Sequence, residues 1–358
     1  MRAAFLRIAP IAFLGVVPLV VFAIGVYSTH HKDNVGIDFR YELYPEAKLV
    51  LHGVNPFPSP HADLTSGQNR IFPIPGALLV APLTALSASS AAAVFCLVLL
   101  ALLALTLRVL EVRDWRVYGL VALWPPAISA VQTGNLTIVL ALLVALAWRA
   151  RERAWLPGIL IGVAIALKLF LWPLLVWLLA LRRFRATAAG AAIGLAGGVL
   201  LVLPFESLGD YVRLLNNLGE AFGRESYNLV GLLTKAHAAS RATASAVADV
   251  VGLAVLALAY VRRSLTLALA ASLVLSPIVW NHYFVLLVIP LAIRWPRLAL
   301  PWCVPLAMWM CPGTGSHIRL WHVVVGLAVL ATTTVLVEWR RRSQPAWGSR
   351  STTTLEPS

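Results

Sequence analysis

The feature that most constrains this chain is a succession of long apolar blocks, which are separated by short breaks carrying charge, proline or glycine. Charged residues make up 12% of the sequence, whereas a soluble domain carries about 25%. A membrane crossing requires about 20 predominantly apolar helical residues, and many of the blocks approach that length. The pattern excludes a soluble globular enzyme and a disordered chain. It predicts an all-α polytopic membrane protein.

We expect about 12 transmembrane helices in a single domain over residues 1–342, followed by a disordered cytoplasmic tail over 343–358. The first block predicts a retained span and not a signal peptide, because its apolar stretch is about 20 residues long. The segment 71–87 is apolar but holds three prolines, which predicts a re-entrant or interfacial helix or, alternatively, a thirteenth span. The predicted spans are 8–27, 89–107, 117–132, 136–148, 154–167, 169–181, 186–204, 243–261, 264–279, 282–293, 298–312 and 320–337.

The placement of charge predicts the orientation of the bundle. The formal net charge of +14 would suggest a nucleic-acid partner in a soluble chain, but in membrane proteins Lys and Arg collect in cytoplasmic loops. With both termini cytoplasmic, 19 of the 29 basic residues and 5 of the 15 acidic residues fall on the cytoplasmic side. The whole excess then reports orientation, so we expect no nucleic-acid partner. Two long loops, 28–70 and 204–241, fall on the outer face.

The first outer loop predicts a juxtamembrane amphipathic helix that begins near Asp38. Gly53 is a candidate C-cap for this helix. Its apolar residues recur at helical spacing, at Phe39, Leu43, Ala47 and Val50. Asp38 has two interpretations: an N-cap of the helix, or a functional carboxylate that faces the bundle.

Lys168 interrupts an apolar stretch over residues 154–181, and arginine-rich clusters flank both ends of that stretch. A single crossing would place the ammonium near the bilayer centre, where an unpaired charge costs about 2.5–3.5 kcal/mol or more. Two short helices that meet at Lys168 would keep both clusters on one side and bring the lysine to the outer face. There it would suit an anionic headgroup or phosphate. The alternative is a snorkelling or ion-paired structural lysine.

Three further polar breaks are predicted on the same outer face. The turn over 276–283 brings His282 and Asn281 beside aromatic residues that alone would be ordinary interfacial anchors. Asn135 ends a Gln-Thr-Gly-Asn break, whose amides could cap helix ends. Arg224, in the second long loop, could clamp a phosphate or form an ordinary surface ion pair.

Two classes of function fit these breaks: an enzyme that acts on lipid-linked substrates, and a transporter or flippase for a lipid or anionic solute. Carriers more often place their charges on spans near the midplane. Asp249 is the one carboxylate inside an apolar block of the sequence, which leaves little material for a proton relay. This distribution favours the enzyme.

Four motifs, in order over residues 38–290, carry a likeness to a known family. The chain resembles the GT-C superfamily of membrane glycosyltransferases, and most closely glycosyltransferase family 87, which includes polyprenol-phosphate-mannose-dependent mannosyltransferases and related arabinofuranosyltransferases. The motifs are DFRYELYPEAKLVLHGVNPF from Asp38, IFPIPGALLVAPL from Ile71, a Gly-Asn turn at 134–135 followed by G-x-x-x-G and K-x-x-x-x-P up to Pro173, and SPIVWNHY from Ser276.

The resemblance implies a GT-C-type bundle and an inverting single displacement, in which Asp38 is the general base. Lys168 and His282, with Arg224 as a poorer third, would bind the donor phosphate and support its departure. Candidates for other substrate contacts are Arg40, Glu42, Asn135, Asn281, Tyr283 and Asn228. The scheme requires no metal and no cofactor; the alternative is a metal held by Asp38 with His30 and His31.

The resemblance also implies partners and a location. The donor would be a polyprenyl-phosphate sugar, mannose first and arabinofuranose as the alternative, and the acceptor an envelope glycolipid or glycan. The protein would be a multi-pass protein of a bacterial plasma membrane, with its active site on the outer (periplasmic) face. No feature of the sequence sets an oligomeric state.

Overall fold

Helices provide the secondary structure, and no strand occurs in the ranges that the structure describes. The structure is a computed structural model and describes residues 12–17, 20, 35–66, 70–312 and 317–343. Most of the predicted first span 8–27, His30 and His31, and the predicted tail beyond residue 343 lie outside these ranges.

The α-helices have the following bounds. The first eight are α1 (Tyr44–Leu51), α2 (Ile74–Val80), α3 (Ala88–Val109), α4 (Trp115–Ala122), α5 (Pro125–Thr133), α6 (Thr137–Arg149), α7 (Leu156–Leu167) and α8 (Pro173–Ala180). The remaining seven are α9 (Phe184–Leu195), α10 (Leu208–Phe222), α11 (Leu229–Lys235), α12 (Arg241–Arg262), α13 (Leu265–Leu275), α14 (Val288–Arg294) and α15 (Leu320–Ser343). Turns of π-helix cover Ala12–Val16, Phe39–Leu43 and Ala196–Leu200, and 3₁₀ turns cover Leu64–Ser66, Ala81–Ala85, Leu169–Leu171, Gly223–Glu225, Asn281–Leu287 and Leu300–Met310.

The structure supports a membrane protein but does not confirm about 12 full-length spans. Three helices are long and apolar enough to cross a bilayer, and they are Ala88–Val109, Arg241–Arg262 and Leu320–Arg341. Helices α5 and α6 reach that length only together, and they bend by 117° at their junction. Most of the other predicted spans correspond to apolar helices of 10–17 residues. Hydropathy locates apolar blocks, but proline and glycine within a block shorten the helix it forms.

The segment 71–87 forms α2 and a 3₁₀ turn, together Ile74–Ala85. Twelve residues of α-helix would rise about 18 Å, and the apolar core of a bilayer is about 30 Å thick. Helices Leu156–Leu167 and Leu169–Ala180, at two of the predicted spans, have the same length. The choice between a re-entrant or interfacial helix and a thirteenth span therefore stays a prediction.

The basic breaks meet at one end of the bundle, as the sequence predicted. Arg149 pairs with Glu111 across two loops at 2.8 Å, and Arg183 pairs with Glu152. Asp114 accepts a hydrogen bond of 3.0 Å from the backbone of Leu298. Helices α6 and α7 run from this end to Asn135 and Lys168, which therefore lie at the opposite end.

Small residues allow α7 and α9 to pack closely. A Cβ on Gly158 would overlap the carbonyl oxygen of Ala186, and a Cβ on Gly162 would lie 2.8 Å from the carbonyl oxygen of Gly190. Glycines four residues apart remove the side chains that would separate two membrane helices. The pair thus forms a rigid support for the chain that leaves α7 at Lys168.

The two predicted outer loops pack against each other. A second apolar cluster joins them and consists of Phe57, Leu64, Ile71, Ile74, Val202, Tyr211 and Leu214. Asn55 donates a hydrogen bond of 3.1 Å to Glu206, and Asn217 donates to the backbone of Pro60 and Ala62. Much of the second loop is helical, in α10 and α11.

Candidate active site

The helix after Asp38 forms where the sequence predicted it. A π-helical turn over Phe39–Leu43 continues directly into α1, and Phe39, Leu43 and Ala47 are buried. Asp38 stands at the N-terminus, but its side chain makes no capping hydrogen bond. The N-cap interpretation is therefore wrong, and the carboxylate instead faces the bundle.

The turn before α6 brings Asn135 to Asp38. Gly134 has φ +68°, and a Cβ at this position would lie 2.8 Å from the Cβ of Phe39. The backbone N–H of Gly36 donates to the carbonyl of Gln132 at 2.6 Å. Glycine is the residue that adopts this φ without strain, and its missing side chain lets the two segments touch.

Asn135 is buried, and its amide connects three elements. Its Nδ2 donates to Asp38 Oδ2 at 2.5 Å. Its Oδ1 accepts from Lys168 Nζ at 3.1 Å, and from the hydroxyl and backbone N–H of Thr137 at 2.6 and 3.1 Å. The sequence suggested a helix-capping amide or a substrate contact here. In the structure the side chain accepts hydrogen bonds from Thr137, the first residue of α6, and also joins the two charged groups predicted for catalysis.

The predicted break at Lys168 is confirmed. Helix α7 ends at Leu167, Lys168 is extended (φ −153°, ψ 113°), and a 3₁₀ turn leads into α8. The lysine is 9% exposed, and its Nζ lies 3.3 Å from the hydroxyl of Tyr283. The same Nζ lies 4.4 Å from the Tyr283 ring centroid and 5.3 Å from that of Phe72. The ammonium is thus held between aromatic faces.

The late histidine turn also reaches this site. His282 is 4% exposed and stacks on Tyr283, with ring centroids 5.0 Å apart. Its Nε2 has no hydrogen-bond partner among the described residues. Asn281 donates to the carbonyl of Pro312 at 3.3 Å, away from Lys168. Of the three residues, Tyr283 and His282 join the lysine site.

The second outer loop holds the turn that carries His282 in place, but its predicted site residues do not contact Lys168 or His282. Asn228 donates to the carbonyls of Ser276 and Pro277 and caps α11 by accepting from Gly231. These bonds hold the histidine turn, and a substrate contact by Asn228 stays a prediction. Arg224 is exposed and forms no hydrogen bond or ion pair with the part of the chain that the structure describes. It is not brought to Lys168 or His282.

Three carboxylates follow one another at four-residue intervals along the first helix, at Asp38, Glu42 and Glu46. Burial raises the pKa of Asp38, while the Asn135 hydrogen bond and the Lys168 charge oppose the rise. Burial, together with the charges of Asp38 and Glu46, raises the pKa of Glu42 well above its ordinary value. Arg40 belongs to the same π-helical turn, and its guanidinium lies 5.6 Å from the Tyr41 ring centroid. A raised pKa favours proton acceptance near neutral pH.

Two contributors to the site were not singled out from the sequence. Glu46 is 1% exposed and accepts a hydrogen bond of 3.1 Å from the backbone of Phe72. This bond fixes the proline-rich segment against α1, and Phe72 in turn covers Lys168. The only signal in the sequence was the regular spacing of the acidic residues.

No three His, Cys, Asp or Glu side chains of the described ranges come together as a metal site would require. His30 and His31, the predicted alternative ligands, lie outside those ranges.

Comparison with known proteins gives two similarities. One is to a polyprenol-phosphate-mannose-dependent alpha-(1-2)-phosphatidylinositol pentamannoside mannosyltransferase of Mycobacterium tuberculosis (strain CDC 1551 / Oshkosh), at 29% identity over 235 residues. The match covers 61% of this chain and 50% of the relative, so the chain spans about half of that protein's length. No solved structure shows significant similarity.

The other similarity is to a protein family. The profile of glycosyltransferase family 87 matches residues 71–290, which is more than half of the sequence. The matched region includes Asn135, Lys168 and His282, whereas Asp38 lies before it. The chain therefore belongs to glycosyltransferase family 87.

Proposed function

We propose that this protein transfers a sugar, with mannose as the first choice, from a polyprenyl-phosphate donor to a hydroxyl group of an envelope glycolipid or glycan. The observation that carries the proposal is the pairing of a carboxylate and an ammonium on a single amide, Asp38 and Lys168 on Asn135. Family membership and the donor named for the mycobacterial relative support it. Arabinofuranose is the alternative sugar.

Asp38 acts as the general base. The acceptor hydroxyl gives its proton to the Asp38 carboxylate as its oxygen attacks the anomeric carbon. The bond from that carbon to the phosphate oxygen breaks, and its electron pair leaves with the polyprenyl phosphate. A single displacement of this kind inverts the anomeric carbon and needs no covalent enzyme intermediate.

Lys168 and His282 support the leaving phosphate. The charge that develops on a departing phosphate is stabilised by hydrogen-bond donors already in place. Lys168 has three N–H bonds, of which Asn135 and Tyr283 take two. His282 Nε2 is buried without a partner in the described ranges and provides a second position for an oxygen. Arg224 is exposed in the second loop, and we assign it no part in this step.

The active site belongs to the end of the bundle opposite the basic loops. Because basic loops face the cytoplasm in membrane proteins, we assign the site to the outer face of the membrane. A polyprenyl chain would remain in the bilayer while its phosphate reaches Lys168. The bundle is therefore a membrane-embedded transferase in this proposal, and its acceptor approaches from outside.

The Asp38→Asn variant tests the proposal. Purified protein in lipid vesicles is given radiolabelled polyprenyl-phosphate mannose or arabinofuranose with an envelope glycolipid extract. General-base catalysis contributes about 10²–10⁴-fold, so we expect a loss of that size in kcat while donor binding is retained. Asp63→Asn, in an exposed part of the same loop, is the matched control. Near-normal transfer by Asp38→Asn, or lipid movement across the vesicle by the wild type without glycosidic product, would overturn the proposal.

A further inference from the structure

The amide of Asn135 lies between two groups of opposite charge that do not touch. No ion pair within 4.0 Å joins Lys168 to a carboxylate in the part of the chain that the structure describes. The connection runs instead through the amide, whose Nδ2 donates to Asp38 and whose Oδ1 accepts from Lys168. An amide is a neutral side chain with a donor at one corner and an acceptor at the other. It therefore satisfies both partners at once.

A direct ion pair between the two charges would work against the proposed reaction. An opposite charge in contact with a carboxylate lowers its pKa, and a carboxylate of low pKa is a weaker base. The ammonium would also lose its freedom to bind phosphate. The inserted amide keeps the base and the cation separate while it fixes where each one sits.

The orientation of the amide is itself fixed. Thr137 donates both its hydroxyl and its backbone N–H to Asn135 Oδ1, so the oxygen is turned toward Lys168 and the nitrogen toward Asp38. The preceding Gly134 packs against Phe39, the residue after Asp38. Asn135 is 2% exposed, which leaves it little access to a substrate.

We propose that Asn135 is a positioning residue, which holds Asp38 and Lys168 in fixed relation and prevents their direct contact. This inference rests on the transferase function proposed above. It differs from the sequence-based expectation that Asn135 contacts substrate. The charged groups that act on Asp38 are Lys168, from the break after α7, and Glu42, on the same helix as Asp38. His282 is the ionisable group next to Lys168.

Asn135→Asp is the decisive variant because it preserves the size of the side chain. The new carboxylate would lie against Asp38, and two carboxylates in one site raise the pKa at which the pair accepts a proton. We expect kcat to fall about 100-fold, as for other misplaced catalytic groups. The acid limb of its pH profile should move to higher pH by about one unit or more. The donor KM should change much less than kcat.

Thr137→Val and Asn217→Ala complete the experiment. Thr137→Val removes one of the bonds that orient the amide and should give a smaller loss of kcat. Asn217→Ala removes an amide that donates to backbone carbonyls of the first loop and should retain wild-type kinetics. If wild type transfers sugar and Asn135→Asp keeps the wild-type kcat and acid limb, the positioning role is wrong. If wild type transfers no sugar from either donor, the proposed function itself is wrong.

Discussion

Lys168 carries a buried ammonium whose neighbours are an amide oxygen, a phenol and two aromatic faces. Burial of a charge without a charged partner costs free energy of folding. A buried lysine of this kind therefore indicates a role other than stabilising the fold. In the proposed reaction that purpose is a phosphate, which would complete the environment of Nζ. The lysine is thus better suited to the substrate complex than to the protein without substrate.

Lys168→Met separates these two effects. Methionine removes the charge and retains an unbranched apolar chain, so the unfolding midpoint should stay the same or rise. Loss of a hydrogen bond from a charged group costs about 1.5–3 kcal/mol, so kcat/KM for the donor should fall roughly 10–100-fold. Steady-state transfer assays and thermal unfolding in detergent give both quantities. Lys48→Met, at an exposed position of α1, is the control. A Lys168→Met protein that is much less stable, or that transfers sugar normally, would contradict this expectation.

The individual charged residues of the site could be predicted, but their connections could not. Asp38, Lys168 and His282 each stand at a break in an apolar block, where a polar side chain calls for an explanation. Asn135 lies 97 residues from Asp38 and 33 from Lys168, and nothing in its local sequence indicates that it bonds to both. Glu46 was equally hidden, because acidic residues on an amphipathic helix ordinarily face water.

At the scale of elements, the site depends on places where helices stop. Lys168 leaves α7 in an extended conformation, and Gly134 closes α5 in a left-handed one. The lysine break was predictable from the cost of a buried charge. The 117° bend between α5 and α6 was not, because periodicity gives the extent of a helix but not its direction after a turn.

Gly134→Ala tests how tightly the Asn135 turn must be built. Alanine at this φ costs about 1–2 kcal/mol, and its Cβ 2.8 Å from Phe39 adds an overpacking cost of about 1–3 kcal/mol. We therefore expect a loss of about 2–5 kcal/mol in the free energy of unfolding. Transfer should fall as well, because Asn135 would move away from Asp38.

Gly53→Ala is the matched control for this substitution. Gly53 has the same φ of +68°, but no atom lies within 4 Å of an added Cβ. The free energy of unfolding of the Gly53→Ala protein should fall only by the conformational cost of alanine at this φ, about 1–2 kcal/mol. Its transfer activity should be retained. Chemical or thermal unfolding in detergent measures both variants. Equal losses for the two would show that the contact with Phe39 contributes nothing.

At the scale of the whole molecule, short helices separate the basic loops from the candidate active site. Helices α6 and α7 contain 13 and 12 residues, which corresponds to about 18–20 Å between the basic loops and the site. This distance is less than the apolar thickness of a bilayer, about 30 Å. If the basic loops lie at one membrane surface, the site lies below the opposite surface. Apolar blocks alone predicted the bundle and its two ends. They also predicted how short the helices near the site are, because the predicted spans 136–148 and 154–167 hold 13 and 14 residues. They did not predict that Asn135 would bond to both Asp38 and Lys168, because such contacts depend on tertiary packing.

The orientation of the two ends gives the last prediction. Asn55 is exposed near the end of the bundle that holds the candidate site, and Arg153 is exposed at the end that holds the basic loops. Each is replaced by cysteine in a separate variant. The native exposed Cys303 is first replaced by serine. Since basic loops stay in the cytoplasm, a membrane-impermeant maleimide should label Asn55→Cys in intact cells and Arg153→Cys only after permeabilisation. The reverse pattern would place the site on the cytoplasmic face, where a donor presented on the outer leaflet could not reach Lys168.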